Sequence, residues 1–501
     1  MKRSSWLLAI LSGTLTALSF PGFELDFFIW FSLVPFFFAL ESTNIKKSFW
    51  HSTLTGLIFF ALLLYGVLVL WEWVGFLIVP GYGLLIAYLS LYWGTFGALY
   101  AFFQKRLSPL WLVFIVPSLW IALEFIQAQT RFGFPWGDLG YALYKQTALI
   151  QIASVTGVWG VSFVIVLVNY LLFLTIKARR LAYFAVALGV FLMIAGFGWF
   201  ATKSKLAENP NKIQIAIIQP NIPQRARFDR QKIEDHLWLY QRLLHETEAK
   251  AVDLGILPES ILPGYILQQP ELLSPFTEFA QKNKMHLLFG TLDAQDHRVY
   301  NSTALISSQG EIVGTYDKVQ LVPFGEYVLF RDVLTNMGLA GLIREALPGD
   351  LDFGREFKVI NSALGKIATP ICFESIFPAI SRQFVQNGAQ LLITVTNDAW
   401  FKRTTVLPQH FFKGVFRAIE NRRFFVQAAN TGISGVISPY GQILAKSDME
   451  QEQIIYGEVA LSDYETIYTR FGDWLVYLAA LFLCLATTLA QMRQVRSSSC
   501  L

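Results

Sequence analysis

The sequence is poor in cysteine, in charge and in the features that mark nucleic-acid binding. Only three of its 501 residues are cysteine, and 15% are charged. Its Lys and Arg residues form no basic stripe, which argues against a nucleic-acid-binding protein. The chain also has no low-complexity tract and no obvious internal repeat. The net charge of +4 is small, so the placement of the charges carries more information than their sum.

The scarcity of cysteine isolates one thiol. Cys484 lies in a hydrophobic segment and Cys500 is one residue from the end, so Cys372 is the only thiol in the polar part of the chain. It ends the β-prone apolar run 366–372 and precedes an aromatic residue and a carboxylate. A thiol is the most nucleophilic side chain near neutral pH if its surroundings favour the thiolate. Taken alone, the same position also fits a buried structural cysteine.

Long apolar runs dominate the first two hundred residues. The chain is 54% hydrophobic with a mean hydropathy of +0.45. An apolar run of about 18 residues can cross the ~30 Å hydrocarbon layer of a membrane as a helix. We therefore predict a transmembrane domain of seven helices over residues 1–202, an external domain over 203–470, and a last membrane helix with a cytoplasmic tail over 471–501.

The eight predicted membrane helices lie near residues 6–20, 27–40, 49–70, 82–103, 110–126, 152–176, 181–201 and 474–492. The first one follows Lys2 and Arg3 and also resembles a signal peptide. We expect an uncleaved span, because a second apolar segment follows at once and the cleavage-site pattern is weak.

The basic residues of the short loops predict the orientation. Lys and Arg precede the first helix and follow the second, fourth, sixth and eighth, whereas the alternate loops hold only Arg131 and Lys145. Cytoplasmic loops carry an excess of Lys and Arg, so both termini are expected in the cytoplasm and the large domain outside it. The loop 127–146 combines aromatic residues with Gly and Pro, which fits a re-entrant segment at the site as well as an aromatic belt that anchors helix ends.

The external domain reads as alternating strands and helices. Apolar β-prone runs predict strands near residues 212–221, 252–260, 284–293, 300–307, 311–317, 366–372, 391–396 and 424–429. Helical segments lie between several of them. This alternation predicts an α/β or layered α+β domain, attached to an α-helical polytopic membrane domain.

Three of these strands end in reactive groups. Glu259, Lys318 and Cys372 each follow an apolar run. Singly they have plain explanations, since a carboxylate caps helices, a lysine sits on solvated turns and a cysteine packs in cores. Together, in this order and setting, they predict a catalytic set.

The order Glu, Lys, Cys at strand ends resembles the nitrilase superfamily, and the wider pattern resembles the apolipoprotein N-acyltransferases of bacterial envelopes. The most specific part is Lys-Val-Gln-Leu-Val-Pro-Phe-Gly-Glu at 318–326. Phe373 departs from the pattern, because a tyrosine is common after the nucleophile. The segments that carry the resemblance cover essentially the whole chain and are 133–136, 219–224, 257–259, 300–302, 318–327, 371–374, 396–401 and 432–434.

The resemblance implies a nitrilase-like αββα sandwich on the periplasmic side of a bacterial inner membrane. It implies acyl transfer from a phospholipid to the α-amine of a diacylglyceryl-cysteine at an apolipoprotein N-terminus, with no cofactor. Cys372 would form a thioester, Glu259 would act as general base, and Lys318 would favour the thiolate and stabilise the oxyanion.

Four further residues are expected to support the site. Glu326 would orient Lys318 or bind an amine, and Glu374 would do the same or form a structural salt bridge. Asn301 and Trp400 would line the site or serve in packing. No metal site is expected, since the histidines, His410 among them, lack metal-ligand spacing.

Two other segments allow alternatives. The apolar stretch 327–347 fits a mobile lid that dips into the bilayer or a buried helix pair. A helically spaced charged set is expected to form a solvated face; it comprises Arg417, Glu420, Arg422 and Arg423.

Two rival functions remain at this stage. One is a membrane-anchored nitrilase-type amidohydrolase that uses the same three residues on water. The other is a polytopic transporter or scaffold with a ligand-binding external domain. The transporter is disfavoured because the membrane helices hold few ionisable residues and no inverted repeat is visible.

Overall fold

A computed structural model describes residues 2–41, 43–129, 132–203, 212–227, 229–339, 341 and 349–498. Its contacts divide the chain into two units. The first comprises Met1–Trp71, Gly75–Ser204 and Arg470–Leu501, and the second comprises Glu72–Val74 and Lys205–Thr469. The apolar helices and the α/β domain expected from the sequence thus fall largely into separate units.

The first unit is helical. Among the described residues, five segments are long and apolar enough to cross a membrane by length and composition: Tyr65–Gln104, Pro109–Gln129, Val158–Ala178, Leu181–Lys203 and Trp474–Met492. Ser4–Leu18 and Asp26–Leu40 are shorter apolar helical segments. The count of eight spans stays a prediction. The α-helices of the N-terminal part and the last helix are Lys2–Leu18, Val34–Leu40, Ile45–Leu63, Trp71–Val74, Ile78–Gln104, Pro109–Gln129, Ala153–Thr156, Val158–Ala178, Leu181–Lys203 and Trp474–Ser498.

Helix ends in this unit have local causes. Ile45–Leu63 begins where the Asn44 side chain accepts a hydrogen bond from Lys47 N at 2.8 Å. The predicted span 152–176 is interrupted at Gly157, whose φ of +66° no regular helix allows. The predicted span 49–70 is α-helical only to Leu63, and Tyr65–Leu70 continues as a 3-10 helix. The sequence therefore located the apolar segments but not the breaks within them.

A buried amide stabilises the irregular backbone between two of these helices. Asn169 Nδ2 donates to Ile29 O at 2.8 Å, and Leu33 N donates to Asn169 Oδ1 at 2.9 Å. Asn169 is fully buried. Backbone groups that lack helical partners need such internal partners wherever water is excluded.

The second unit contains two six-stranded sheets. The first has the order β12-β1-β2-β3-β4-β5 and the second β11-β10-β9-β8-β7-β6. Strands β1 to β3 are mutually parallel, as are β7 to β9, and the outer pairs are antiparallel. The strands are β1 Lys212–Gln219, β2 Leu254–Ile256, β3 His286–Gln295, β4 Arg298–Ile306, β5 Ile312–Asp317, β6 Ile360–Ser362, β7 Gly365–Ala368, β8 Leu391–Thr396, β9 Phe425–Ala429, β10 Gly435–Ile437, β11 Ile443–Lys446 and β12 Gln453–Ala460.

Alternate residues of one strand face two different cores. Leu288 of β3 packs between the sheets, together with residues such as Ile393 of β8. Its neighbour Phe289 faces the other way, toward Phe276 of the helix Pro270–Asn283.

The α-helices of this unit are Gln224–Arg227, Ile233–His245, Pro270–Asn283, Arg331–Leu334, Pro378–Gln386, Val406–Asn421 and Ile467–Phe471.

The second sheet is covered by helices on its outer face. Val406–Asn421 packs on β9 and β10, and Pro378–Gln386 lies beside it. Gly414 allows close approach, because a Cβ there would lie 2.5 Å from a ring carbon of Phe425. The layers therefore run helix, sheet, sheet, helix, and the αββα sandwich is confirmed.

The predicted solvated charged face is wrong. Arg417 and Glu420 are fully buried and form an ion pair with 2.9 Å between Arg417 Nε and a Glu420 carboxylate oxygen. Arg422 donates to Pro439 O at 2.9 Å, and Arg423 donates to Ala389 O at 2.8 Å. Helical spacing alone does not show which face of a helix the rest of the domain covers.

The segment 327–347 is partly described. Arg331–Leu334 forms one helical turn, and Thr335–Leu339 continues with a π-helical turn in which Gly338 has a φ of +85°. Phe330 and Val333 are exposed, so this part is not a buried helix pair. Residues 340 and 342–348 lie outside the described residues, and the lid stays a prediction.

Candidate active site

Strand direction brings the three predicted reactive residues to one end of the domain. β5 runs in the same direction as β2 and β3, since two antiparallel pairings separate it from β3. Glu259 follows β2 and Lys318 follows β5, so both lie at the carboxyl end of these parallel strands. Cys372 follows β7 of the second sheet. A hydrogen bond of 2.6 Å between the hydroxyls of Thr303 and Thr369 joins the sheets just before it.

The Glu259 carboxylate is held at both oxygens. Asn301 Nδ2 donates to Oε1 at 2.7 Å, and Asn397 N donates to Oε2 at 2.8 Å. Asn301 belongs to the first sheet and Asn397 follows the second, so this carboxylate connects the two. Gly290 allows this position, because a Cβ there would lie 2.5 Å from Glu259 Cα. A base fixed in this way needs little reorganisation when it accepts a proton.

Lys318 lies between two carboxylates. Its Nζ is 2.8 Å from Glu326 Oε1 and 3.9 Å from Glu259 Oε1, and its side chain is 1% exposed. Burial lowers the pKa of Lys318, but the charges of Glu326 and Glu259 outweigh that effect, so the pKa rises and the ammonium stays charged.

Glu326 has the geometry of an orienting group. Its Oε1 accepts from Lys318 Nζ at 2.8 Å and from Asn301 Nδ2 at 2.7 Å, while Oε2 accepts from Val322 N at 2.7 Å. Both oxygens are thus engaged by the protein. Of the two roles expected for Glu326, the contacts favour orienting Lys318 over binding an amine.

Cys372 sits on a strained turn. Its φ of +50° lies in the left-handed region, which a residue with a Cβ rarely adopts. Cys372 is half-buried. Burial and the negative charge of Glu259 raise the pKa of its thiol, and the positive charge of Lys318 opposes them without prevailing. Lys318 thus acts on the thiol in the expected direction, and its catalytic role stays a prediction.

Glu374 braces the site and forms no salt bridge with any residue that the structure describes. Its Oε1 accepts from the Tyr316 hydroxyl at 2.7 Å, from Val319 N at 2.8 Å and from Gln320 N at 3.0 Å. Its Oε2 accepts from Ile371 N at 2.8 Å. Burial raises the pKa of this fully buried carboxyl, and the hydrogen bonds oppose the rise. Glu374 thereby ties the segment after Lys318 to the segment before Cys372.

The remaining two predicted residues differ in position. Asn301 is 4% exposed and bridges Glu259 and Glu326 through one amide nitrogen. Trp400 is half-buried on the 3-10 turn Asp398–Phe401, and its ring packs edge to face against Trp73, which groups with this unit, at 5.3 Å between centroids. Asn301 therefore lies in the cluster around Glu259 and Lys318, and the contact of Trp400 with Trp73 is a packing contact.

Several residues around the cluster were not predicted. Arg227 is buried and donates to the carbonyl oxygens of Glu259 and Ser260, the latter at 3.0 Å. A buried histidine, His410, lies against the Cys372 turn. No sequence pattern marks Arg227, and His410 stands alone in its helix. Among the described residues, no cluster of three or more His, Cys, Asp or Glu side chains could hold a metal ion.

Comparisons with known proteins identify the family of the chain. Residues 214–468 match the family model "Carbon-nitrogen hydrolase", which defines the class of the second unit. Residues 12–171 match "Apolipoprotein N-acyltransferase N-terminal domain". The chain belongs to the apolipoprotein N-acyltransferase family.

Relatives with that name match over almost the whole chain. The one from Geobacter metallireducens is 35% identical over 94% of this chain and 92% of its own length, and the one from Thermotoga maritima is 30% identical over 98% and 95%. Among solved structures, a carbon-nitrogen hydrolase from Helicobacter pylori aligns with a TM-score of 0.40 and 19% identity, over 53% of this chain and 94% of that one. An amidase from Nesterenkonia sp. aligns with a TM-score of 0.39 and 20% identity, over 54% and 96%.

Proposed function

We propose that this acyltransferase moves a fatty acyl chain from a phospholipid to the α-amine of the N-terminal diacylglyceryl-cysteine of apolipoproteins, through a thioester on Cys372. The observation that carries the proposal is the convergence of Glu259, Lys318 and Cys372 at one end of the carbon-nitrogen hydrolase domain. A covalent intermediate splits this transfer into two easier steps.

The first step forms the thioester. Because burial and the charge of Glu259 raise the pKa of the thiol, Glu259 takes its proton as Sγ attacks the ester carbonyl of the phospholipid. The buried Lys318 ammonium stabilises the negative charge on the tetrahedral oxygen. When the intermediate collapses, the C–O ester bond breaks and Glu259 returns its proton to the departing glycerol oxygen. The products are a lysophospholipid and acyl-Cys372.

The second step transfers the acyl chain. The lipoprotein amine attacks the thioester carbonyl, Glu259 removes a proton from that nitrogen, and the C–S bond breaks with the proton delivered to sulfur. An amide and the free thiol result, and Glu259 is again ionised. The amine must react before water does, since water would release a free fatty acid.

Supporting residues act through the reactive ones. Glu326 orients Lys318, and Asn301 aligns the Glu259 and Glu326 carboxylates with one donor. Glu374 sets the distance between the Lys318 and Cys372 segments.

The membrane arrangement follows the charge distribution. The Lys and Arg bias of the short loops supports eight spans over residues 1–202 and 471–501, with both termini cytoplasmic. The catalytic domain, residues 203–470, then lies on the periplasmic side of the inner membrane of a bacterium, where phospholipid and lipoprotein both reach it.

Intact-mass analysis of the purified full-length protein tests the mechanism. Incubation with a phospholipid of defined acyl chains should add the mass of one acyl group, and Cys372→Ala should abolish that adduct. Cys484→Ala is the matched control, because Cys484 is an exposed cysteine of the last helix. An adduct that survives in Cys372→Ala refutes the thioester. A diacylglyceryl lipopeptide should discharge the adduct as amide, whereas discharge only to free fatty acid indicates the amidohydrolase rival.

A further inference from the structure

A ring of buried polar groups lies directly behind the nucleophile. It consists of the Cys372 carbonyl and the side chains of Ser375, His410, Asp398 and Thr396, here called the backing ring. His410 Nε2 lies 2.9 Å from Ser375 Oγ and 3.2 Å from Cys372 O, and His410 Nδ1 lies 3.0 Å from Asp398 Oδ1. Thr396 Oγ1 donates to Asp398 Oδ1 at 3.1 Å. The ring therefore contacts the nucleophile at its carbonyl.

The hydrogen-bond partners of His410 indicate which of its two ring nitrogens carry a hydrogen. The Ser375 hydroxyl donates to Cys372 O at 2.8 Å, so its oxygen is left to accept from His410. The Cys372 carbonyl can only accept, so His410 Nε2 must carry a hydrogen. Nδ1 faces a carboxylate oxygen, which also accepts. Both ring nitrogens are thus donors, which is the imidazolium form.

The surroundings of His410 agree with a charged imidazole. His410 is 3% exposed and Asp398 also 3%. The charged groups that act on His410 are Asp398 and Lys413, the latter one turn further along its own helix. Burial lowers the pKa of His410, but Asp398 and the Cys372 carbonyl outweigh it and raise the pKa above the ordinary value. A buried imidazolium and a buried carboxylate next to each other form an ion pair rather than two isolated charges.

The position of this pair is informative because Cys372 is strained. A non-glycine residue persists at a φ of +50° only where its surroundings over-determine it. Two donors, the His410 Nε2–H and the Ser375 hydroxyl, converge on the Cys372 carbonyl. They hold the peptide that follows the nucleophile in the orientation that the turn requires.

We propose that His410, paired with Asp398, is a positioning residue for acyl transfer: it fixes the Cys372 turn, and its positive charge balances the Asp398 carboxylate behind the thiol. The inference rests on the proposed role of Cys372 as the nucleophile. The negative charge of Asp398 raises the thiol pKa, as does that of Glu259. Loss of the His410 charge alone would therefore leave the thiol harder to ionise.

The test compares His410→Gln with the double variant Asp398→Asn/His410→Gln in the full-length protein. His410→Gln leaves the Asp398 charge uncompensated, and we expect thioester formation to slow by on the order of 10²-fold, the cost of misplacing a reacting group by about 1 Å. We also expect the pH profile of Cys372 alkylation by iodoacetamide to shift to higher pH. In the double variant the charges are again balanced, so that profile should return toward the wild-type one.

A matched control separates positioning from stability. His236→Gln replaces another buried histidine of the same domain, on the helix Ile233–His245, and should change neither rate nor profile. Thioester formation at the wild-type rate in His410→Gln overturns the inference. The inference is also overturned if the alkylation profile of His410→Gln is unchanged and the rate loss of the double variant equals the combined losses of the two single variants. If Cys372→Ala still forms the acyl adduct, the proposed function itself fails, and that outcome is distinct from a failure confined to His410.

Discussion

Gly290→Ala tests whether the backbone of the first sheet positions the general base. A Cβ on residue 290 would lie 2.5 Å from Glu259 Cα, 2.6 Å from Ser260 N and 3.0 Å from Glu259 C. All three are backbone atoms, so no side-chain rotation relieves the overlap. Carbon atoms in contact stand about 3.5–4.0 Å apart, so the Glu259 backbone must retreat by roughly 1 Å.

This retreat breaks contacts that hold Glu259. Gly290 N donates to Pro258 O at 3.0 Å, and Ile261 N donates to Gly290 O at 2.9 Å, so the two segments are hydrogen-bonded on both sides of the overlap. We expect overpacking to cost about 1–3 kcal/mol in the free energy of unfolding. A displacement of about 1 Å at the base should slow thioester formation on the order of 10²-fold.

The assay is the rate of acyl-enzyme formation by intact mass, with denaturant unfolding measured on the same preparation. Gly314→Ala is the matched control, since Gly314 lies in β5 of the same sheet and a Cβ there would meet only the Ile360 side chain, at 3.2 Å. Gly314→Ala should retain most of the activity. A Gly290→Ala protein that acylates at the wild-type rate would refute the claim that close backbone contact positions Glu259.

Three further predictions follow from the site and its surroundings. Glu326→Gln should lower kcat by about 10²-fold or more with little change in KM, because Lys318 loses the charged partner that orients its ammonium toward the oxyanion. An effect confined to KM would instead indicate substrate binding by Glu326. Without substrate, the alkylation rate of Cys372 should keep rising between pH 7 and pH 9.5, since the raised pKa of the thiol leaves the thiolate fraction far from saturation; a plateau below pH 8 would contradict this. Arg417→Ala should cost about 3–5 kcal/mol in unfolding free energy by leaving Glu420 as an unpaired buried charge, whereas an unchanged denaturation midpoint would favour a solvated face.

The features that the sequence predicted correctly depend on neighbouring residues in the chain. Apolar runs identify membrane helices because hydrocarbon excludes polar side chains over a fixed length. Strand ends also mark Glu259, Lys318 and Cys372, whose catalytic roles stay predictions, because a side chain directly after a buried strand stands at the end of a sheet. β1, β4, β5, β8 and β9 lie close to their predicted positions for the same reason. β6 and β10 to β12 were missed, since strands of three or four residues, or with mixed polarity, carry little periodicity.

Other features depend on contacts between distant parts of the chain. Glu374 accepts hydrogen bonds from Val319, 55 positions earlier, and His410 contacts Ser375, 35 positions earlier. Arg417 is buried, and its Nη1 donates at 3.2 Å to the carbonyl oxygen of Ile376, 41 positions earlier. No local pattern encodes such pairings, so the sequence left Glu374 ambiguous, treated His410 only as a residue without metal-ligand spacing, and misassigned Arg417.

Neighbouring residues in the chain were enough to predict apolar helices, an α/β domain and three candidate reactive residues in order. The surroundings of the Cys372 thiol, in contrast, are set by the tertiary structure. The ionisation of Cys372 depends on burial and on the opposing charges of Glu259, Lys318 and Asp398, and these are set by distances in space. Burial and the carboxylates outweigh Lys318 and raise the thiol pKa, which favours a mechanism in which a nearby base takes the thiol proton at this strained turn.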